Sequence, residues 1–235
     1  MVEPALYLIP VPLSDVVPDC VLPARNVELV SHISFFIVEN VRSARRFLKK
    51  CVPAIDIDSL TFFELNRHTN PAAIPAYLDP LAAGHAVGVI SEAGCPAIAD
   101  PGADVVALAQ RRGLKVVPLV GPSSILLALM ASGFNGQRFA FAGYLPIDAG
   151  ERTRTLKEME RRIMREHQTQ IFIETPYRNN ALIAALVSAL PSGLRLCVAS
   201  DVTGERESIV TRSIAEWEKA TYDYNKVPTI FLLYQ

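Results

Sequence analysis

The run Ser91-Glu92-Ala93-Gly94-Cys95-Pro96-Ala97-Ile98-Ala99-Asp100-Pro101-Gly102 is the segment of this sequence best suited to cradle a ligand. Small residues at Ala93, Gly94, Ala97 and Ala99 let a ligand approach the backbone, while Pro96 and Pro101 pin the path. Nothing in the run reads as chemically reactive. It follows the strongly apolar stretch 86–90, so it is expected to leave the end of a strand, where α/β proteins build binding loops. A second loop, Pro10-Val11-Pro12-Leu13-Ser14-Asp15, is stiffened by two prolines after an apolar first strand. A third, Gly121-Pro122-Ser123-Ser124, opens an apolar helix, whose free amides would accept a polar group such as a carboxylate. Each has a plainer reading as a rigid turn, a sheet cap or a helix cap. Together, with no Lys for phosphates among them, they suggest a neutral or zwitterionic small ligand. A nucleoside triphosphate is disfavoured, because neither G-x-G-x-x-G after the first strand nor G-x-x-x-x-G-K-[ST] occurs.

Two basic stretches are candidates for nucleic-acid contact. The first is Arg42, Arg45, Arg46, Lys49 and Lys50; the second is Arg152, Arg154, Lys157, Arg161, Arg162 and Arg165. Glu158, Glu160 and Glu166 interrupt the second, which reads as a solvated, salt-bridged helix face; the first is less diluted. His32, His68, His85 and His167 lack ligand spacing, and Cys20, Cys51, Cys95 and Cys197 are scattered without a Cys-x-x-Cys pair. No metal and no disulfide framework is expected, and a reducing cytoplasm fits.

The elements that must position these loops follow from the spacing of apolar residues. Strand-length runs recur at 6–11, 34–38, 60–63, 86–90 and 115–119, separated by helix-length stretches at 41–50, 72–83 and 103–112. Such alternation predicts a mostly parallel sheet covered on both faces. Strands follow again at 138–143, 170–173, 194–199, 208–212 and 229–234, the last three poorly separated by helices, so part of this sheet is expected to be antiparallel. The fold class is α/β, with an N-terminal lobe over 1–120 and a C-terminal lobe of mixed sheet over 121–235. The most apolar window, 116–133, carries Pro118, Gly121, Pro122, Ser123 and Ser124, too much punctuation for a membrane helix; it reads as strand, turn and buried helix. Met1-Val2-Glu3-Pro4 lacks the features of a signal peptide. With Lys+Arg 23 against Asp+Glu 24, the net charge of −1 excludes a global basic field, and any nucleic-acid contact must be a local patch.

These loops resemble the tetrapyrrole-methylase-like class of S-adenosylmethionine-dependent methyltransferases. The resemblance is closest to the ribosomal RNA small subunit methyltransferase I group, which methylates a cytidine ribose 2′-hydroxyl in small-subunit ribosomal RNA. It is carried by residues 7–13, Val38-Glu39-Asn40-Val41-Arg42, 91–102, 118–124, Ala140 and Gly143-Tyr144-Leu145-Pro146, Glu151-Arg152, and Ile173-Glu174-Thr175-Pro176-Tyr177-Arg178. It implies two α/β lobes with S-adenosylmethionine in the cleft between them, and a homodimer. By position it assigns cofactor contacts to Leu13, to Gly94, Cys95 and Ile98, and to Gly121, Ser124 and Ile125. In the second lobe it assigns them to Ile173 and Glu174, to Ser200 and Asp201, and to Pro228 and Thr229. Departures cluster on the substrate side: Ser14-Asp15 replaces a Gly-Asn pair, Glu39-Asn40-Val41-Arg42 replaces Glu-Asp-Thr-Arg, and Cys95 replaces Thr.

Methyl transfer from a sulfonium is an in-line displacement that asks chiefly for alignment. A ribose hydroxyl as acceptor calls for a base, and Glu39 is the candidate, with Arg42 holding a phosphate or orienting the carboxylate. The competing reading is a Glu39–Arg42 pair one helical turn apart, worth ~0.2–0.5 kcal/mol. Two functional alternatives stay open: methylation of a tetrapyrrole or other small acceptor, and a non-catalytic cofactor-binding paralogue.

Overall fold

The computed structural model describes residues 2–235, and the chain divides into two compact units, Met1–Ser123 and Ser124–Gln235. In the first unit the order is β1 (Leu6–Ile9), α1 (Ala24–Val30), β2 (Phe35–Val38), α2 (Val41–Cys51), β3 (Thr61–Glu64), α3 (Asp79–Ala82), β4 (Val87–Ile90), α4 (Ala103–Arg111) and β5 (Val116–Pro118). All five strands are parallel, in the order β3-β2-β4-β1-β5. Side chains alternate between the faces of such a sheet. Tyr7, Ile9, Phe36 and Val38 therefore pack with Ala44, Phe47 and Leu48 of α2 on one face. Leu6, Ile37, Val87 and Val89 pack with Val105 and Ala109 of α4 on the other. Gly88 sits in the central strand because a Cβ there would lie 2.7 Å from Ile9 Cδ1 and 2.9 Å from Phe36 Cδ1.

One expected helix is corrected. Residues 72–83 do not form a single amphipathic helix: Pro71–Leu78 is a 3-10 run, followed by the short α3. Pro75 lies inside the run and supplies no amide for an i→i−4 bond, so the tighter winding replaces the α-helix.

The second unit contains α5 (Ser124–Ser132), β6 (Phe139–Tyr144), α6 (Ala149–Glu166), β7 (Thr169–Ile173), α7 (Asn179–Ala189), β8 (Arg195–Ser200), β9 (Ser208–Ser213), α8 (Ile214–Glu218) and β10 (Thr229–Tyr234). Its sheet runs β6-β7-β10-β8-β9, with β6 parallel to β7 and the remaining pairs antiparallel. Its core gathers Leu156, Ile163, Phe172, Leu186, Leu196, Trp217 and Phe231, with Phe172 stacked on Phe231 and Trp217 Nε1 donating to the Leu196 carbonyl at 2.9 Å. The helix expected to be buried after Gly121 buries only Ala128, Leu129 and Ser132, leaving Leu126 50% and Met130 79% exposed. Apolar composition without helical periodicity could not show which stripe faces the sheet. No described helix is long and apolar enough to cross a membrane.

Candidate functional site

Since β4, β1 and β5 are parallel neighbours, the segments that follow them leave the sheet along one edge, and β2 delivers Glu39 beside them. Contacts within the first unit knit three of these loops together. Val11 and Gly94 exchange both backbone hydrogen bonds, at 2.9 and 3.1 Å. Gly94 takes a left-handed φ of +70°, and a Cβ there would lie 3.0 Å from Leu13 Cδ2. Cys95 Sγ donates to the Pro122 carbonyl at 3.5 Å. Gly121 approaches Pro10 so closely that a Cβ would stand 2.3 Å from the proline Cβ. The third loop is further held by Asn26, whose buried amide donates to the Val120 carbonyl at 2.8 Å. Leu13, Gly94, Cys95 and Gly121 thus come together, with Ile98 exposed on the same loop as Gly94 and Cys95. Ala97 and Ala99 also adopt left-handed backbone, at φ 65° and 59°. For L-residues this is a strained conformation that clusters at functional loops.

The loop is less inert than its composition suggests. Burial pushes the Asp100 carboxyl up to about 6, reinforced by the negative charges of Glu39 and Glu92. The Ser91 hydroxyl, which donates toward the Asp100 carboxylate, pulls the other way. Glu39 is raised above its ordinary range, first by burial and then by Glu92. Glu92 is held by Ser43 Oγ, which donates to Oε1 at 2.5 Å. These carboxylates come from β2 and from the β4 loop, far apart in sequence, so only topology reveals their coupling. The Cys95 thiol is raised by burial, and that of Cys51 is pushed up to about 12, so neither is a thiolate nucleophile at neutral pH.

Asn40, one of the departures in the Glu39 segment, is the N-cap of α2: its Oδ1 accepts from the amides of Arg42 at 2.9 Å and Ser43 at 3.2 Å. Asparagine performs this as well as aspartate. Arg42 is exposed in the first turn and, among the described residues, forms no ion pair with Glu39. Three of the remaining α2 cations are engaged internally: Arg45 with Asp58, Lys50 with Asp15, and Lys49 with the Ile55 carbonyl at 2.6 Å. The α6 face is salt-bridged, as its interleaved sequence suggests: Arg161 and Arg162 hold the Glu158 carboxyl down to about 2.

The candidates of the second unit also share a sheet edge. β10 runs antiparallel between β7 and β8, so Ile230 faces Ile173 and Thr229 faces Ser200, and the Asp201 amide donates to the Pro228 carbonyl at 2.9 Å. Glu174 is buried and satisfied locally by Arg178 at 3.0 Å and the Thr175 amide at 2.7 Å. Fully buried Asn179 pins the adjacent loop, its Nδ2 reaching the carbonyls of Tyr224 and Val227, both at 2.8 Å, and Thr229 Oγ1 at 3.0 Å. Its only sequence signal was an Asn-Asn pair opening an apolar run. Ser124 and Ile125 open α5. Among the described residues no group of His, Cys, Asp and Glu is placed to hold a metal ion.

No family model matches the chain. Among solved structures, the methyltransferase CobJ superposes with a TM-score of 0.63 at 16% identity, over 98% of this chain and 93% of that one. Uroporphyrin-III C-methyltransferase from Thermus thermophilus, solved with S-adenosylhomocysteine, gives 0.59 at 15% identity, over 98% and 97%. The fold is that of this methyltransferase class. Closer relatives narrow it. Ribosomal RNA small subunit methyltransferase I of Mesorhizobium japonicum is 31% identical over 90% of this chain and 68% of its own length, and that of Vibrio cholerae is 29% identical over 91% and 70%. The chain belongs to the ribosomal RNA small subunit methyltransferase I family.

Proposed function

We propose that this chain transfers a methyl group from S-adenosylmethionine to ribosomal RNA of the small subunit, at the ribose 2′-hydroxyl of a cytidine. The observation that carries the reading is the joining of the Leu13, Gly94–Cys95 and Gly121 loops at one sheet edge, with Glu39 delivered beside them. The residues fit the cofactor. The left-handed backbone at Gly94 carries no side chain to bar close approach by an uncharged nucleoside, and the carboxylates Glu39, Glu92 and Asp100 suit a sulfonium cation. Leu13, Gly94, Cys95, Ile98 and Gly121 would hold it in the first unit; Ser124, Ile125, Ile173, Glu174, Asp201, Pro228 and Thr229 are assigned to it in the second. Bound S-adenosylmethionine supplies a methyl carbon already activated by its leaving group.

What remains for the protein is to orient the acceptor and take its proton. Glu39, raised toward neutral pH by burial, is suited to accept the proton of the ribose 2′-oxygen as charge develops there. Arg42, exposed in the first turn of α2, is suited to an RNA phosphate. Cytoplasmic action as a homodimer completes the proposal; Leu126, Met130, Tyr144 and Ile147, exposed apolar residues of the second unit, are available for such a pairing. The test is incubation with labelled methyl donor and undermethylated small subunits, followed by mapping of the label. A single labelled cytidine ribose is expected. Label confined to a small-molecule fraction would overturn the RNA assignment, and donor binding without transfer would leave a cofactor-binding paralogue.

A further inference from the structure

The second unit contains a cavity of about 340 Å³ between β9, α8 and the segment 221–227. That volume falls within the range of about 300–1,000 Å³ typical of small-molecule sites. Strand register fixes the side of the sheet on which it lies. Leu196 faces Arg212 and Ser200 faces Ser208, and residues directly opposite on neighbouring strands share a face. Leu196 packs with Trp217 in the core, whereas Thr211, on the other face, donates to the Ser132 carbonyl of α5 at 2.9 Å. The cavity therefore lies on the face turned away from α5, whose first residues are assigned to the donor. Of its lining residues only Ser200 is shared with that assignment.

The wall is aromatic and carries two cations. Trp217 meets Tyr222 and Tyr224 edge-on, with ring centroids 5.6 and 6.2 Å away, and the two part-buried tyrosine rings lie 6.2 Å apart at an interplanar angle of 23°. Burial raises both phenols, which stay neutral donors at neutral pH. Arg212 sits over the Trp217 ring, its guanidinium carbon 5.1 Å from the centroid, and Arg206 is exposed. Among the described residues neither arginine forms an ion pair, in contrast to Arg45 and Lys50 of α2 and Arg161 and Arg162 of α6. Asp223, the one carboxylate in the lining, already accepts from Asn180 Nδ2 at 3.0 Å and from the Asn225 amide at 3.1 Å. Guanidinium groups match a phosphate, and aromatic rings stack a base whatever its identity. The combination suits a planar base joined to a phosphate.

We propose that this cavity is a second RNA contact, which stacks one unpaired nucleotide, other than the methylated one, on Tyr222 and Tyr224 and holds its phosphate through Arg206 and Arg212. The inference rests on the RNA reading above and adds to it a contact on the other face of the second sheet. Stacking and phosphate contacts carry little base identity, so the cavity supplies affinity and orientation and leaves sequence choice to the methylation site. A free nucleotide presents the same chemistry, and only a longer strand would add contacts beyond the cavity.

Trp217 is the chain's single tryptophan, so its fluorescence reports on this cavity. The test titrates the full chain, saturated with S-adenosylhomocysteine, with single-stranded oligoadenylate and with adenosine 5′-monophosphate, following Trp217 emission and the polarisation of end-labelled oligonucleotide. The oligonucleotide is expected to change the emission and to bind about tenfold more tightly than the mononucleotide. Arg206→Glu should weaken binding about tenfold and reduce the slope of log K against log salt by about 0.7, with melting temperature unchanged, while Arg206→Lys keeps most of the affinity. Tyr222→Leu should also weaken binding about tenfold; should that variant fold poorly, the Arg206 pair decides. Flat Trp217 emission, or binding and salt slope untouched by Arg206→Glu, would overturn the site, and a mononucleotide bound as tightly as the strand would overturn its assignment to RNA. Failure of the broader RNA reading looks different: small subunits would stay unlabelled by the native protein while oligoadenylate still altered Trp217 emission. Failure of this site alone would leave native labelling intact, with Arg206→Glu showing the native KM for subunits.

Discussion

Asp100 shows how a residue acquires chemistry that its neighbours in sequence do not hint at. With its carboxyl raised to about 6, the folded protein holds that proton more tightly than the unfolded chain, whose aspartate titrates near 3.8. The group therefore costs nothing below the lower value, and its penalty grows as pH rises to the upper one. Asp100→Asn should stabilise the fold by about 1 kcal/mol at pH 7, the full linkage value being reduced because the group is partly solvated, and by nothing at pH 3.5. Denaturant titrations at the two pH values check this. Glu39 must be ionised to accept a proton, and its pKa is raised, so the acid limb of the rate profile should lie above the ordinary carboxylate range. Glu39→Gln should lower kcat by about 10²–10⁴ and remove that limb. Gly94→Val would force a branched side chain into a left-handed backbone and against Leu13, and the donor Kd should rise at least tenfold. The sequence exposed Gly94 as a backbone-approach position because glycine advertises its freedom. It hid Asp100, Glu92 and Ser91, whose properties arise from partners brought together by the sheet.

At the scale of elements, the strands were legible because a sheet covered on both faces demands short, continuous apolar runs, and each expected run met an observed strand within a residue or two. Helices were legible where one face is clearly apolar, as in α2 with Ala44, Phe47 and Leu48 buried, and not where composition is uniform. Thus α7, which buries Leu182, Ile183 and Leu186, gives no clear apolar stripe in the sequence, and α8 is marked there only by the capping box of Ser213 and Glu216 at its start. Gly88 tests the packing of the parallel sheet. Gly88→Ala places a methyl against Ile9 and the fully buried Phe36, and should cost about 1–3 kcal/mol in a urea titration while leaving the rim residues in place.

At the scale of the whole molecule, alternating strands and helices announced a parallel sheet, and crowded terminal strands announced an antiparallel portion; both are seen. The loops of the parallel sheet pointed to a ligand before any partner was visible, because parallel strands must deliver successive loops to one edge. What the sequence could not convey was how those loops are joined: the Val11–Gly94 bridge, the Cys95–Pro122 contact and the Gly121–Pro10 approach all span distant segments. A crystal structure of the protein with S-adenosylhomocysteine decides whether these joined loops hold the methyl donor. The ligand should lie against Leu13, Gly94, Cys95 and Ile98 with its sulfur on the Glu39 side; density elsewhere, with these loops bare, would contradict this placement of the donor.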